Sequence, residues 1–532
     1  MKVGTSYRQK SVTGTFDAVV IGSGIGGLAT AALLARNGGK RVLVLERHYT
    51  TGGFTHTFKR PGYEWDVGVH YVGQVSTPGS PVRAAFDAIT DGSLEWSDMG
   101  EVYDRIVIGP DSFDFVKGRE AFAERMKEYF PSERVAIDRY LRRVSRVVRS
   151  SALFFAEKAV PAPLAQVLGG LLRKPLLREA RKTTREALLD LTSNPRLTGV
   201  LTGQYGDYGL PPSQSSFFIH SLIVDHYLDG AAYPIGGASR IAASILPVIE
   251  SAGGAVFTQA EVEAILVESG RTAGVRLTDG NEIRAPIVVS DAGALNTFGR
   301  LLPEDVRLRF EVDQMIRRQR PSAAHLCLYV GLRRTSAELG LSKTNLWIYP
   351  DWDHDANVER FFANPKSPLP VAYISFPSAK DPDFARRHPG RATIDVLTLA
   401  PYDWFRKWES KPWKKRGAEY EELKAMLAEK LLEPLYSHCP AVRGKVDYTE
   451  LSTPLSTVNF TRHPEGSIYG LAATPALYEE RRLRPATPIA GLFLTGADVC
   501  SLGVGGALFG GVLTASAILR KNLRGAIRKR AA

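Results

Sequence analysis

Residues 16–46 contain the pattern that restricts the fold most: a strand, a glycine-rich turn, a helix and a second strand. The apolar run FDAVVI ends at residue 21, an Ala- and Leu-rich helical pattern covers about 25–37, and RVLVLE forms residues 41–46. This order is typical of the start of doubly wound α/β folds. We therefore predict an α/β protein whose chain begins in a Rossmann-type parallel sheet.

The turn between the first strand and the helix carries a dinucleotide-binding fingerprint. The first glycine permits a tight turn, the second lets the backbone approach a pyrophosphate, and the third lets helix and strand pack closely. Glu46 ends the second strand, where its carboxylate can accept hydrogen bonds from ribose hydroxyls. The predicted phosphate-binding turn consists of Gly22, Ser23, Gly24, Gly26 and Gly27.

Composition and charge narrow the class of protein. A chain of 532 residues is too long for a single hydrophobic core, so we expect more than one domain. Its content of 44% hydrophobic and 23% charged residues is ordinary for a soluble globular protein. The three cysteines have no metal-binding spacing, so we predict no metal site and a reducing, cytoplasmic location. Residues 499–519 are uncharged, but their glycines favour a turn and a buried helix over a membrane span.

Much of the net charge of +12 lies in residues 134–185, which contain 13 Lys or Arg and 3 acids. Helical spacing places apolar residues on one face of 134–149 and arginines on the other. Nucleic acid is an improbable partner because no aromatic and basic platform accompanies the charge. We predict a basic, helical region that binds an anionic membrane surface and makes the protein peripheral to the membrane. The alternative is a solvated helix face over a lid.

Several further segments resemble one large class of FAD enzymes. Arg47 begins R-x-x-x-x-G-G, which ends at Gly52 and Gly53, and the segment LTGAD near the C-terminus contains Gly496 and Asp498. The resemblance implies that the glycine pair passes close to the flavin and that Asp498 holds the ribityl chain. It also implies that Val262 meets the adenine. The helix from about Gly505 and Gly506 would then point its positive end at the flavin ring.

Two long blocks carry a narrower resemblance. Residues 52–73 (GGFTHTF-x-R-x-GYEWDVGVHYVG) and residues 206–256 are similar to retinol saturases and carotenoid isomerases, with phytoene desaturases, amine oxidases and Rab GDP-dissociation inhibitors as broader relatives. The resemblance implies FAD, with Phe54 and Thr55 beside it, and a long apolar tunnel that crosses the flavin face and opens toward a membrane. Amine oxidases have Arg at the position of Phe54, which argues against amine chemistry.

The resemblance implies a glutathione-reductase/amine-oxidase-like FAD domain and a discontinuous α+β substrate domain with a mixed sheet and a helical lid. We assign residues 1–95, 235–310 and 486–532 to the FAD domain. Residues 96–234 and 311–485 form the predicted substrate domain.

The expected function is reduction of one C=C bond in a long apolar isoprenoid, such as a retinoid, a carotenoid or a prenylated quinone. A desaturase, a cis–trans isomerase and a non-catalytic lipid carrier remain alternatives. The sequence shows no second dinucleotide fingerprint, so the electron donor stays open. Reduction needs a hydride and a proton, and His70 and Tyr71 rank first as proton donors because they follow the glycine pair. Further candidates are Tyr205, His220 and Tyr233.

Overall fold

The computed structural model describes residues 3–160 and 162–531, so residue 161 of the predicted basic region lies outside the described residues. A parallel sheet forms the first layer. Its central strands are Val-, Ile- and Leu-rich and fully buried, as expected for a sheet covered on both faces. The strands run in the spatial order Thr5–Ser6, Ala255–Thr258, Val42–Leu45, Ala18–Ile21, Val288–Ser290 and Leu492–Leu494.

The strands of this sheet come from segments that are far apart in the chain, and all lie within the predicted FAD domain. Helices Ile25–Gly38, Ser239–Glu250 and Gly503–Leu519 share one hydrophobic cluster with the sheet. The two ends of the chain therefore meet in one layer. The exact domain boundaries stay a prediction.

The glycines of the last long helix allow it to approach the first helix closely. A Cβ atom on Gly511 would lie 2.7 Å from the Cβ of Ala29 and 2.8 Å from the carbonyl oxygen of Gly26. A Cβ on Gly510 would lie 2.2 Å from the carbonyl oxygen of Gly496. The predicted buried helix is thus present, and no helix within the described residues is long and apolar enough to cross a membrane.

A second, mixed sheet is formed by strands of the predicted substrate domain. Side chains alternate along Ala324–Leu332: Leu326, Leu328 and Val330 face helix Ala418–His438, whereas Cys327 and Tyr329 face the hairpin at 57–66. The strands run in the order Val446–Ser452, Ala324–Leu332, Ala392–Ala400, Ala372–Ser375, Asn345–Tyr349, Val102–Ile108 and Asp111–Val116.

Smaller sheets lie between the parallel sheet and the mixed sheet. Val72–Gly73 and Trp96–Asp98 flank Ala231–Pro234, and Thr57–Arg60 pairs with Tyr63–Asp66. Arg271–Leu277 pairs with Glu282–Arg284 across the turn at Asp279–Gly280 and, on its other side, with Val262–Glu268.

Helices cover the mixed sheet and fill the middle of the chain. In Arg134–Ala159, Ile137, Tyr140 and Val144 are fully buried, which confirms the predicted apolar face. Besides those named above, the helices are Pro81–Thr90, Arg119–Tyr129, Ala162–Ala180, Thr184–Leu189, Pro195–Leu201, Phe217–Tyr227, Ala294–Asn296, Glu304–Arg309, Val312–Ile316, His354–Ala363, Pro377–Lys380, Phe384–Arg387, Pro454–Thr461, Pro475–Glu479 and Leu523–Ala531.

Candidate active site

A cavity of about 680 Å³ lies between the two sheets. One wall is formed by the carboxyl ends of the parallel strands, including Ile21 and Leu45, and the opposite wall by Leu397 and Leu399 of the mixed sheet. Ligands of open α/β folds bind at this edge of the sheet. The volume is within the range of about 300–1,000 Å³ that small-molecule and cofactor sites occupy.

The glycine fingerprint forms one end of the cavity. Gly22 has a φ of +94°, which makes the tight turn possible, and a Cβ on Gly24 would lie 2.5 Å from a carboxylate oxygen of Asp291. The backbone N–H and the hydroxyl of Ser23 donate to Oε2 of Glu46, and the N–H of His48 donates to Oε1. These bonds fix the Glu46 carboxylate at the cavity wall.

The predicted glycine-pair loop packs directly on the fingerprint. The N–H of Gly52 donates to the carbonyl oxygen of Ser23 at 3.0 Å, and a Cβ on Gly53 would lie 3.0 Å from the Cα of Gly24. Both glycines have positive φ, +116° and +55°, so the turn favours glycine at each position. The loop continues along the cavity through Phe54 and Thr55.

Arg47 starts the same loop and anchors it to the other half of the molecule. Its Nη1 donates to the carbonyl oxygens of Asn459 and Phe460, and its Nε lies 3.4 Å from Glu261. Val262, the first residue of its strand, also lines the cavity. The three predicted cofactor segments around Gly22, Gly52 and Val262 therefore share one wall.

The C-terminal segment completes this end of the cavity. Oδ2 of Asp498 accepts a hydrogen bond from the N–H of Ala294 at 2.7 Å, and Oδ1 accepts one from the N–H of Leu471. The last long helix begins at Gly503, two residues before the predicted start, and Gly503 and Val504 line the cavity. Its positive end therefore faces the cavity.

Some predicted cofactor residues lie behind the wall and have packing roles. A Cβ on Gly27 would lie 2.5 Å from the carbonyl oxygen of Gly22, and one on Gly506 would lie 2.2 Å from that of Ser501. A Cβ on Gly496 would lie 2.3 Å from Asp291, and the ring of His226 lies 3.4 Å from the Cβ position of Gly505. Glycine is required at Gly27, Gly496 and Gly506 by close contacts inside the protein.

Asp291 lines the cavity, although no sequence motif predicted a role for it. It directly follows the buried strand Val288–Ser290 and lies against the fingerprint. Burial raises its pKa to about 7, and the charges of Glu46 and Asp498 act in the same direction, whereas the N–H groups of Gly27 and Gly24 lower it. Its position directly after a strand of the parallel sheet is the sequence feature from which a place in the site could have been predicted.

The residues at this end fit FAD. Amide groups at the N-terminus of helix Ile25–Gly38 suit a pyrophosphate, and Glu46 suits ribose hydroxyls. The glycine cradle is too narrow for side chains, because Cβ atoms at Gly24 and Gly26 would clash with Asp291 and Gly496. The chain therefore provides a fixed, close backbone surface of the kind that a dinucleotide needs.

The other end of the cavity is aromatic and apolar. Trp347, Val371, Tyr373, Leu397 and Leu399 line it. The cavity reaches the surface beside the exposed rings of Tyr49 and Trp413 and the exposed Lys414. Such a chamber accommodates an extended apolar ligand.

The aromatic end contains buried polar atoms that lack partners among the described residues. They are both ring nitrogens of His70, Nδ1 of His325, the hydroxyl of Tyr373 and Nε1 of Trp347. Nδ1 of His70 lies 3.5 Å from the carboxylate of Asp395. Burial and the nearby charge of Lys380 lower the pKa of His70 to about 3, so its ring is neutral at pH 7.

The structure brings one of the five predicted catalytic candidates to the cavity wall, His70. Tyr71 lies directly behind it, with its hydroxyl between two carboxyl groups. Tyr233 donates to Asp66, the ring nitrogens of His220 are hydrogen-bonded to Tyr140 and Tyr208, and Tyr205 packs against His354. Tyr205, His220 and Tyr233 are not on the wall, and sequence spacing could not reveal this.

Lys380 lies in the buried layer behind the aromatic end. Its Nζ donates to Oδ1 of Asn345, to the hydroxyl of Ser375 at 2.7 Å and to the carbonyl oxygen of His70 at 2.9 Å. Burial lowers its pKa to about 7, while Asp104 and Asp395 oppose the shift. No motif surrounds this lysine, so its sequence context did not predict a role for it.

The family described as flavin containing amine oxidoreductase matches residues 25–519. The chain therefore belongs to this family of flavin-dependent oxidoreductases, within the group of retinol saturases and carotenoid isomerases. It is 39% identical to an all-trans-retinol 13,14-reductase of Rattus norvegicus over 526 residues, which cover 95% of this chain and 86% of that protein.

A prolycopene isomerase of an Oncidium hybrid cultivar is 27% identical over 473 residues, which cover 86% of this chain and 75% of that protein. An oxidoreductase structure from Methanosarcina mazei has the same fold, with a TM-score of 0.58, 16% identity, and coverage of 95% of this chain and 100% of that one. These findings confirm the predicted fold class, the FAD cofactor and the oxidoreductase class. They do not test the roles of individual residues.

Proposed function

We propose that this flavoenzyme reduces one C=C bond of a long, apolar isoprenoid: a retinoid, a carotenoid or a prenylated quinone. The observation that carries the proposal is the continuity of the cavity, in which the FAD-binding wall leads directly to the aromatic chamber. The 39% identical relative is named for reduction of a double bond in retinol. Bound, reduced FAD would supply the hydride, and the chamber would hold the polyene in register and exclude water.

Isomerisation or desaturation is the alternative, because the 27% identical relatives are named prolycopene isomerases. The experiment is anaerobic incubation of the reduced enzyme with a panel of polyenes, followed by mass spectrometry of the products. A gain of two hydrogens supports reduction. A loss of two hydrogens with oxidised enzyme supports desaturation, and an unchanged mass with a new isomer supports isomerisation. Binding of polyenes with no product in any of these incubations would contradict an enzymatic function and favour the lipid carrier.

The electron donor is part of the same proposal, and a ferredoxin, a quinol and NAD(P)H are the candidates. Each can be mixed anaerobically with the oxidised enzyme while the flavin absorbance is followed. The donor is the one whose addition bleaches the flavin within the turnover time. A donor that bleaches it much more slowly than product forms is excluded.

We also propose that the protein is cytoplasmic and binds an anionic membrane surface through helices Arg134–Ala159 and Ala162–Ala180. Among the described residues of this pair, five large apolar side chains are exposed, led by Val167 and Leu171 with 80% and 75% of their surface accessible. On the first helix, Arg139, Arg142, Arg146, Arg149 and Leu153 form one exposed stripe at intervals of three or four residues.

The cations of this stripe support electrostatic attraction, because no ion pair links them to an acid within the described residues. Arg143, on the neighbouring face, is instead held by Glu179 and Asp190. Apart from Val135, at the start of the first helix, the exposed apolar residues lie nearer the connection between the two helices than the arginines do. The arrangement fits an apolar tip in the interface with the arginines at headgroup level.

The test is flotation with vesicles that contain phosphatidylserine. Val167→Asp together with Leu171→Asp should reduce binding at least tenfold, and salt should weaken wild-type binding. Leu308→Asp is the matched control, since Leu308 is 63% exposed on another surface. Equal binding of all variants would contradict this surface. Loss of binding in Trp413→Ala alone would instead indicate attachment at the cavity mouth.

A further inference from the structure

The hydroxyl of Tyr71 lies between the buried carboxyl group of Asp104 and the half-buried carboxyl group of Asp207. It is 2.7 Å from Oδ2 of Asp207 and 2.9 Å from Oδ2 of Asp104. A tyrosine hydroxyl has one hydrogen, so it can donate to only one of them. Both contacts are hydrogen bonds only if one carboxyl group carries a proton and donates it to the Tyr71 oxygen.

The neighbours of Asp104 decide which carboxyl group holds the proton. Asp104 accepts from Nδ2 of Asn345 at 2.9 Å and from Nε2 of Gln204 at 2.7 Å. The Asn345 amide has this orientation because its Oδ1 accepts from Nζ of Lys380, whose protonated form can only donate. Burial raises the pKa of Asp104 as well, but its two amide donors oppose that shift, whereas Asp207 has no amide donor among the described residues, so the proton belongs on Asp207.

Asp207 also has the right position. It lines the cavity, next to Gly206 and near Trp347 and Tyr469, whereas Asp104 is fully buried. Burial raises the pKa of Asp207 well above its usual value, and the charge of Asp104 adds to this shift, although Lys380 and the Tyr71 hydrogen bond oppose it. A neutral carboxylic acid therefore faces the aromatic chamber.

We propose that Asp207 is the proton donor of the reduction, and that Tyr71 positions it. This inference rests on the proposed function. The π bond of the substrate would open, one carbon would receive the hydride that bound, two-electron-reduced FAD would supply, and its neighbour would receive the proton of Asp207. The Tyr71 hydroxyl then rotates from Asp104 to stabilise the new Asp207 carboxylate. After product release, a proton from bulk solvent, carried by water that enters the cavity, returns Asp207 to its acid form.

The first test measures protonation and needs no turnover. Infrared spectra of the FAD-loaded protein at pH 7 should contain a carboxylic acid C=O band that Asp207→Asn removes. The band should shift in Tyr71→Phe, because the acid loses its acceptor. Asp225→Asn is the matched control, since Asp225 is another carboxyl group away from the cavity wall, held by Gln74. An identical spectrum for wild type and Asp207→Asn would overturn the proposal.

The second test measures oxidation of the reduced flavin by a polyene that wild type reduces. Asp207→Asn should slow this step by about 10²–10⁴-fold with unchanged FAD content, whereas Asp225→Asn should keep the wild-type rate. Full speed in Asp207→Asn would refute Asp207 as the donor and leave the proposed function intact. If wild type itself reduces no polyene but the infrared band is present, the proposed function fails and the protonation of Asp207 stands.

Discussion

Replacement of Gly511 by Ala tests the contact that joins the two ends of the chain. The added Cβ would lie 2.7 Å from the Cβ of Ala29, 2.8 Å from the carbonyl oxygen of Gly26 and 3.1 Å from the N of Thr30. Ordinary contacts between carbon atoms are about 3.5–4.0 Å, so the helices must separate by roughly 1 Å. Two of the three atoms are backbone atoms and cannot rotate away.

The expected cost follows from two opposing effects. Overpacking of this kind costs about 1–3 kcal/mol, and Ala in a helix gains about 1 kcal/mol over Gly. Because backbone atoms cannot move away from the added Cβ, we expect an overpacking cost at the upper end of the range. The free energy of unfolding should then fall by about 2 kcal/mol in total. A loss of that size corresponds to a roughly 30-fold change in the unfolding equilibrium.

Gly170→Ala is the matched control, because Gly170 is also helical but has no atom within 4 Å of its Cβ position. It should gain up to about 1 kcal/mol. The assay is urea unfolding followed by release of FAD fluorescence. We expect a lower midpoint and less bound FAD for Gly511→Ala, and an unchanged or higher midpoint for Gly170→Ala. A Gly511→Ala protein as stable as wild type, with full FAD, would refute the close helix contact.

Two further predictions concern pH. Asp291 ionises around pH 7 beside the amides expected to bind the pyrophosphate. Its negative charge would repel the pyrophosphate, so FAD affinity should fall as pH rises through 7. In Asp291→Asn, fluorescence titration should show an FAD affinity that does not change over this pH range. Burial raises the pKa of Glu64, but His388, Arg387 and Lys59 lower it to about 2 overall. The ionised Glu64 therefore stabilises the folded state fully above about pH 4.5, and this stabilisation is lost as the pH falls toward 2. Glu64→Gln should cost about 3 kcal/mol at pH 7 in urea unfolding and little at pH 2, and an equal loss at both would contradict the ion pair.

The sequence predicted which segments meet at the glycine-rich end of the cavity, because that end is built from local backbone geometry. Gly22 and Gly24 in their turn, Glu46 at the end of a strand and the pair Gly52–Gly53 are each specified by a few neighbouring residues. Local spacing sets φ angles and strand ends, so the motif and the structure agree.

The catalytic end was decided by tertiary structure. Tyr205 and His220 are close in sequence to Asp207, yet the fold buries both away from the wall and brings Asp207 to it. Tyr71, Asp104 and Lys380 come from distant segments and lie together only after the mixed sheet forms. The sequence by itself determined which backbone turns can hold a dinucleotide. Only the tertiary structure decided which carboxyl groups meet around the Tyr71 hydroxyl and which of them receives amide donors, because these contacts join distant segments of the packed chain.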